Sequence, residues 1–327
     1  MGPWVYGLID LLTHRPMDPY SREIDQLQFL TDTKVDFMRR RRIAFAISGF
    51  LILAGLVSLG LRRGPNFGVD FRGGVFIQAK FNEPVTTDEI RSALETEGIA
   101  QVSVQHGETD DEVVISTPEV QMAGGDDVSD AIKKVLTKGT WKVDERGVNT
   151  DKVSASVGRD LMSSAIKSII LALALILGYI WFRFEFRFGV AAVITLLHDV
   201  VVTLGIFSIL NEEINLPTIA AFLTIVGYSL NDTIVVFDRI RENIKVLRGK
   251  EFDEIINTSI NQTISRTIIT SMTTLFAVIS IFALSKVGTL HTLSLALLIG
   301  VIVGTYSSIF VASPILHGWH LRLQREK

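Results

Sequence analysis

The stretch GYSLNDTIVVFDRIREN, residues 227–243, decides how the chain is read. It continues an apolar run that starts at Leu216, places Asn231 and Asp232 in the middle, and returns to apolar residues at 233–237. About 20 mostly apolar residues suffice to cross a bilayer. A charged group at bilayer depth costs roughly 2.5 kcal/mol or more on insertion scales, so it is expected to face a bundle interior or a cavity. The segment reads as a membrane helix that carries a carboxylate for a reason.

The rest of the chain supports that reading. Of 327 residues, 48% are hydrophobic, and mean hydropathy is +0.36. The apolar residues gather into six runs of spanning length, at 43–61, 165–182, 188–210, 216–237, 267–284 and 290–315. The expected fold class is a polytopic α-helical membrane protein with six transmembrane helices. A water-soluble stretch separates the first helix from the second. The expected divisions are a cytoplasmic N-terminal segment 1–38, a first transmembrane helix 39–62, an extracytoplasmic domain 63–159, a five-helix bundle 160–316 and a cytoplasmic tail 317–327. No cleavable signal peptide is evident, because the first apolar run follows Arg39, Arg40, Arg41 and Arg42 and is long enough to remain as an anchor.

Basic residues in short loops set orientation. Lys34 and the four arginines precede the first helix. Arg183 and Arg187 lie between the second and third, and Arg239, Arg241, Lys245, Arg248 and Lys250 between the fourth and fifth. Arg322, Arg325 and Lys327 close the chain. All fall on one side if both termini are cytoplasmic; Arg62 and Arg63 argue weakly against this, and the opposite loops are the acidic NEEIN (211–215) and SKVGT (285–289), with one Lys. RIRENIKVLRGKEFDEII, 239–256, reads as an amphipathic cytoplasmic helix. Lys167 reads as a snorkelling anchor at the outer end of the second helix.

The 63–159 stretch alternates elements. VFIQAKF (75–81) is rich in strand formers, and TTDEIRSALETEG (86–98) runs from a cap-like Thr to a Gly. QVSVQ (101–105) and EVVIST (112–117) alternate, DDVSDAIKKVLTKG (126–139) is a second helix, and 141–158 supplies a last strand. The order βαββαβ is the ferredoxin-like unit, an α+β fold that hosts many functions.

Several polar residues fall inside the spans. On the third, Thr195, Asp199 and Thr203 recur every four residues, with His198 beside Asp199. His198, Asp199 and Asn231 form either a proton path or a structural polar cluster. On the fourth, Thr224, Tyr228, Asn231 and Asp232 share a side; on the fifth, Gln262, Arg266, Thr270 and Thr273 do. Asp232 lies about 22 Å along its helix from Pro217, at about 1.5 Å per residue. Arg266 starts the next helix from the opposite side, so a pair with Asp232 is expected. Burial disfavours a charged carboxylate and a nearby guanidinium favours it, so a movable Arg beside a buried Asp couples protonation to conformation. Gly300 and Gly304 form a small-xxx-small pair suited to helix packing. Asp70, Gly73 and Gly74 read as a tight turn after the first helix.

Other classes lack their signatures. Net charge is −3 and no nucleic-acid motif is present. With no cysteine there is no disulfide, thiolate metal site or catalytic thiol. No Walker A loop, HExxH spacing or Ser-based triad occurs, so no enzyme, cofactor or metal is expected. An intramembrane aspartyl protease could formally use Asp199 and Asp232, but nothing else supports one.

Five stretches carry a family resemblance. They are GVDFRGG (68–74), LLHDVVVTLGIFS (196–208), GYSLNDTIVVFDRIREN (227–243), SINQTISRTIITSMTTL (259–275) and GTYSSIFVASPIL (304–316). With the six helices and one large loop, the chain resembles the SecF family over about residues 35–320. SecF is the membrane subunit of the SecDF protein-export complex, in the resistance-nodulation-division-like superfamily. The resemblance implies a bacterial inner (cytoplasmic) membrane protein that uses the proton motive force to promote late-stage preprotein export. It implies SecD as a heterodimer partner, the SecYEG channel, and functional association with YajC and the SecA ATPase. Asp232 and Arg266 match the family's proton-conducting pair, His198 and Asp199 match a recurring motif, and Asp70, Gly73 and Gly74 match an Asp-Gly-Gly motif. No second six-helix half is visible, so SecD would complete the proton path. A proton-coupled exporter of small hydrophobic molecules from the same superfamily is the alternative. Such exporters usually carry two repeats and larger outer domains.

Overall fold

The computed structural model describes residues 33–325, except 100, 101, 108, 110, 119–126, 139, 140, 142, 286 and 287. Most of the expected N-terminal segment and the glycine at 139 lie outside the described residues. Six helices in this range are long and apolar enough to span a membrane. A 3-10 turn, Met38–Arg40, leads into α1 (Arg41–Leu61). The short α2 (Val69–Arg72) follows. Then come β1 (Gly74–Phe81), α3 (Thr87–Thr96), β2 (Ser103–His106), β3 (Glu112–Thr117), α4 (Val128–Lys138) and β4 (Val143–Val153). The bundle is completed by α5 (Ala155–Arg183), α6 (Phe186–Leu210), α7 (Leu216–Val246), α8 (Phe252–Leu284), α9 (Thr289–Phe310) and α10 (Ala312–Arg325).

The soluble domain is the expected ferredoxin-like unit. Its sheet has the order β2-β3-β1-β4, and every pairing is antiparallel. Alternation on β1 buries Val75, Ile77, Ala79 and Phe81 beneath Ile90 and Leu94 of α3 and Ile132 and Leu136 of α4. Thr86 does occupy the N-cap of α3, but its hydroxyl makes no capping bond. Asp127 caps α4, accepting from Ser129 N at 2.9 Å, and pairs with Lys152 of β4 at 2.5 Å. Helix is thereby tied to edge strand.

The membrane helices outrun their apolar cores. α5 begins ten residues before the hydropathic run, because Ser154 caps it directly after β4 by accepting from Val157 N at 3.3 Å. The expected amphipathic helix over 239–256 is not a separate element. α7 continues to Val246, the chain turns through Gly249 at φ +88°, and α8 starts at Phe252. The two arms bond across the hairpin: Asn243 Nδ2 donates to Ser259 Oγ and to Gln262 Oε1, both at 2.8 Å. Polar faces that suggested a surface helix are satisfied by each other. The last span is broken at Val311, and the chain continues as α10, which takes in the described part of the 317–327 tail. Pro314 lies in the first turn of α10, where its missing N–H costs no helical bond.

Two packing devices hold the first helix. Gly55 of α1 and Gly205 of α6 meet backbone to backbone, so a Cβ at Gly55 would stand 2.6 Å from Gly205 Cα. One turn on, the Ser58 and Ser208 hydroxyls lie 2.8 Å apart. Just before α1, Asn261 of α8 grips the Val35 backbone, accepting from its N–H at 3.0 Å and donating to its carbonyl at 2.9 Å. Asn257 accepts from Met38 N at 3.0 Å.

Gly205→Val is expected to lower the thermal unfolding midpoint in detergent, with an overpacking cost of about 1–3 kcal/mol. Gly49→Ala on the same α1 meets nothing within 4 Å and should hold or raise the midpoint.

Candidate functional site

Two carboxylates are buried in the bundle, and their surroundings differ. Asp199 on α6 is fully buried. Its Oδ1 accepts from His198 Nδ1 at 2.9 Å. Its Oδ2 accepts from Ser229 Oγ of α7 at 2.5 Å and from Ser307 Oγ of α9 at 2.8 Å. This knot joins three helices through charge-assisted bonds, which are roughly twice as strong as neutral ones. His198 Nε2 is buried and has no partner among the described residues. Thr195 and Thr203 turn to their own helix, donating to Ala191 O at 2.8 Å and Asp199 O at 2.7 Å.

The close approach of α9 makes the knot possible. A Cβ at Gly304 would sit 3.0 Å from Ser229 Cβ, and one at Gly300 would overlap Ile225. The small-xxx-small pair therefore receives α7 and brings Ser307 and Ser229 to the same carboxylate.

Asp232 lies one turn further along α7, with 3% of its surface exposed. Its Oδ2 has no hydrogen-bond partner among the described residues. The groups acting on it are the Ser271 hydroxyl of α8 and, through charge, Arg266. Ser271 is itself engaged: Tyr228 OH donates to it at 3.2 Å, and Thr305 Oγ1 of α9 lies 2.7 Å away.

The expected contact between Asp232 and Arg266 is not closed. Arg266 is exposed and forms no ion pair among the described residues. The reason is helical phase. α8 buries Ser259, Ile260, Thr263, Thr267 and Ser271, and Arg266 lies one residue off that stripe. Asn231 is also exposed, as are Thr224 and Thr273, so Asn231 stands outside the Asp199 knot. Polar side chains on α7 and α8 thus form an uncovered stripe beside the buried Asp232.

The Asp-Gly-Gly motif divides in two. Gly73 and Gly74 hold φ of +77° and +138°, and a Cβ at Gly74 would stand 2.2 Å from Thr117 O, so the glycines do make the tight turn. Asp70 is not part of it. It sits on α2, and its Oδ2 accepts from Leu216 N at 2.8 Å, at the first residue of α7. Gly68 N donates to Ile214 O at 2.9 Å and Ile214 N to Asn66 O at 2.7 Å, a short parallel bridge. Phe71 plugs into a cluster with Phe207, Ala221, Phe222 and Ile225. Nearby, burial pushes the Glu213 carboxyl above its ordinary range, Arg72 draws it down, and Glu212 and Asp70 push it further up.

Sequence reading singled out the carboxylates but not Ser229 and Ser271, two of the hydroxyls that serve them. Ser229, Ser271 and Thr305 are ordinary residues in a helix, and only Ser229, three residues before Asp232 and opposite Gly304, had a spacing that could have marked it.

Comparison with known proteins follows from this geometry. The family model of the protein export membrane protein SecD/SecF C-terminal region matches residues 132–322, and that of the SecD/SecF GG motif matches 59–85. The protein translocase subunit SecF of Desulfurispirillum indicum is 44% identical over 306 residues, covering 90% of this chain and 96% of the relative. That of Haemophilus influenzae is 38% identical over 317 residues, covering 96% and 95%. The crystal structure of SecDF from Thermus thermophilus, a translocon-associated membrane protein, superposes with a TM-score of 0.79 at 33% identity. It covers 92% of this chain, which spans only 41% of that chain.

Ser307→Ala removes one bond to a buried carboxylate and should lower stability by roughly 1.5–3 kcal/mol, read as the thermal midpoint in detergent. Glu213 binds its proton more tightly folded than unfolded. Stability therefore falls as pH rises from the unfolded value, about 4.3, through the raised folded one. Glu213→Gln should be more stable than the wild type at pH 7, with the advantage vanishing below about pH 4 in a midpoint-versus-pH series.

Proposed function

The chain belongs to the SecF family of protein translocase subunits, and we propose that, paired with SecD, it uses the proton motive force to promote the late stage of preprotein export through SecYEG. It is a multi-pass membrane protein. In this reading it resides in the cytoplasmic membrane of a bacterium with both termini inside. SecA drives the earlier, ATP-dependent stage, and YajC is an associated subunit.

One observation carries the proposal. Asp232 is buried with an oxygen left unbonded, while Arg266, the cation that acts on it, stands uncovered on the next helix. A buried carboxylate that lacks its full set of donors is poised to take up a proton. A cation at membrane depth that no described residue covers calls for a partner surface, since such charges face protein or water-filled cavities. The exposed Asn231, Thr224 and Thr273 lie on the same side and fit the same demand. The SecDF chain of Thermus thermophilus carries more than twice the length matched here, consistent with a SecD half packed against that stripe. Asp199 and His198 take the structural part in this reading, because the Asp199 carboxylate is already fully bonded. The described residues hold one small outer domain with a single four-stranded sheet, where exporters of that superfamily usually carry two repeats and larger outer domains, which favours protein export over drug export.

The decisive measurement is preprotein translocation in vesicles containing this chain, SecD and the Sec channel. Asp232→Asn and Arg266→Ala should reduce the rate to that seen without a proton gradient, leaving ATP-driven entry and complex assembly intact. Undiminished proton-dependent translocation in Asp232→Asn would make Asp232 a structural residue.

A further inference from the structure

α7 carries Asp232, and its N-terminus meets the root of the soluble domain. The described residues contain one polar fastening between a charged side chain of the domain's root and the start of α7. Leu216 is the first residue of α7, and the first N–H groups of a helix have no partner within it. Asn215 answers one of them, accepting from Thr218 N at 3.0 Å. Asp70 answers another from 146 residues away in the chain, accepting from Leu216 N at 2.8 Å. A carboxylate there also faces the positive end of the helix dipole.

The connection on each side of Asp70 is stiff. Toward the membrane, Phe71 belongs to the same apolar cluster as Ala221, Phe222 and Ile225 of α7, and Asn66 and Gly68 bond both sides of Ile214. Toward the domain, α2 ends in Gly73 and Gly74, and the carbonyl of Thr117 lies directly against Gly74. β1 begins at Gly74 and is a central strand, paired to both β3 and β4. α5 closes the other flank: a Cβ at Gly158 would stand 2.7 Å from Phe71 O. No slack loop intervenes between the N-terminus of α7 and the centre of the sheet. Asp232 lies sixteen residues down the same helix, about 24 Å at about 1.5 Å per residue.

We propose that Asp70 is a positioning residue for proton-driven export: its carboxylate hooks the N-terminus of the Asp232-bearing helix to the root of the extracytoplasmic sheet, so that a shift of either is imposed on the other. The proposal rests on the reading of Asp232 as the proton-coupling residue. It differs from a turn-forming role, which Gly73 and Gly74 fill without Asp70. Coupling of this kind is reciprocal, so a change at Asp232 must register at the domain root.

The test uses the full chain with SecD and the Sec channel in vesicles. Asp70→Ala removes the acceptor, and Leu216→Pro removes the donor at a helix position that accepts proline. Asp70→Asn keeps an acceptor. Asp70→Ala and Leu216→Pro should each bring proton-driven translocation down to the level of Asp232→Asn, and the two together no further. Asp70→Asn should keep at least half the wild-type rate. Hydrogen exchange supplies the second readout: Asp232→Asn should alter protection across 66–81 in the wild-type background and leave it unchanged in Leu216→Pro. A wild-type proton-driven rate in Leu216→Pro, beside a lost rate in Asp232→Asn, overturns the hook. If Asp70→Ala fails to assemble with SecD, Leu216→Pro and the exchange comparison decide alone. If Asp232→Asn itself keeps the proton-driven rate, the proton-coupling reading fails. Unaltered exchange at 66–81 in that variant would then remove the hook as well.

Discussion

The bundle is organised around the demand of the Asp199 carboxylate for donors in a medium that supplies no water. Its bonds come from His198 on its own helix, Ser229 on α7 and Ser307 on α9. Leaving such a group unbonded costs more than the bonds contribute when made. The hydroxyls reach it only because Gly304 presents no side chain to Ser229 and Gly300 admits Ile225. Small residues and a buried charge therefore act together: the glycines permit the approach, and the carboxylate sets its register. Three of the six spanning helices are held in one arrangement by these few atoms.

Against that fixed point, Asp232 stands out by what it lacks. It is nearly as buried as Asp199 and lies one turn beyond Ser229 on α7, yet one oxygen has no partner among the described residues. The contrast assigns different work to two residues of the same type. The Asp199 carboxylate is tied to three donors, whereas one oxygen of Asp232 has no donor among the described residues. The phase of α8 completes the division, turning Thr267 and Ser271 inward and Arg266 outward. The polar side of α7 and α8 next to Asp232 is thus a side that no described residue covers.

The sheet domain between the first two spanning helices is not tethered by a loose linker. Phe71 enters the bundle as a hydrophobic plug, Asp70 caps α7, and the paired glycines turn the chain directly into a central strand. The domain root and the helix bearing Asp232 share atoms of contact, which is the physical condition for movement at one to matter at the other.

Much of this was legible from residue order. Hydropathy located all six spans, alternation and capping residues located the βαββαβ order, and charges placed against apolar runs picked out Asp199, Asp232 and Arg266. These are local properties, set by periods of two and 3.6 residues and by the cost of charge in hydrocarbon. Helix ends were not legible, because α5, α7 and α8 continue past their apolar stretches wherever polar side chains find partners across a hairpin or at a cap. Nor was the outward placement of Arg266, the exclusion of Asn231 from the buried knot, or the bond from Asp70 to Leu216. The sequence determined which residues must be protected from lipid; the tertiary structure alone decided what protects them. That choice depends on how each helix is rotated and how closely its neighbours approach, and no local period carries that information.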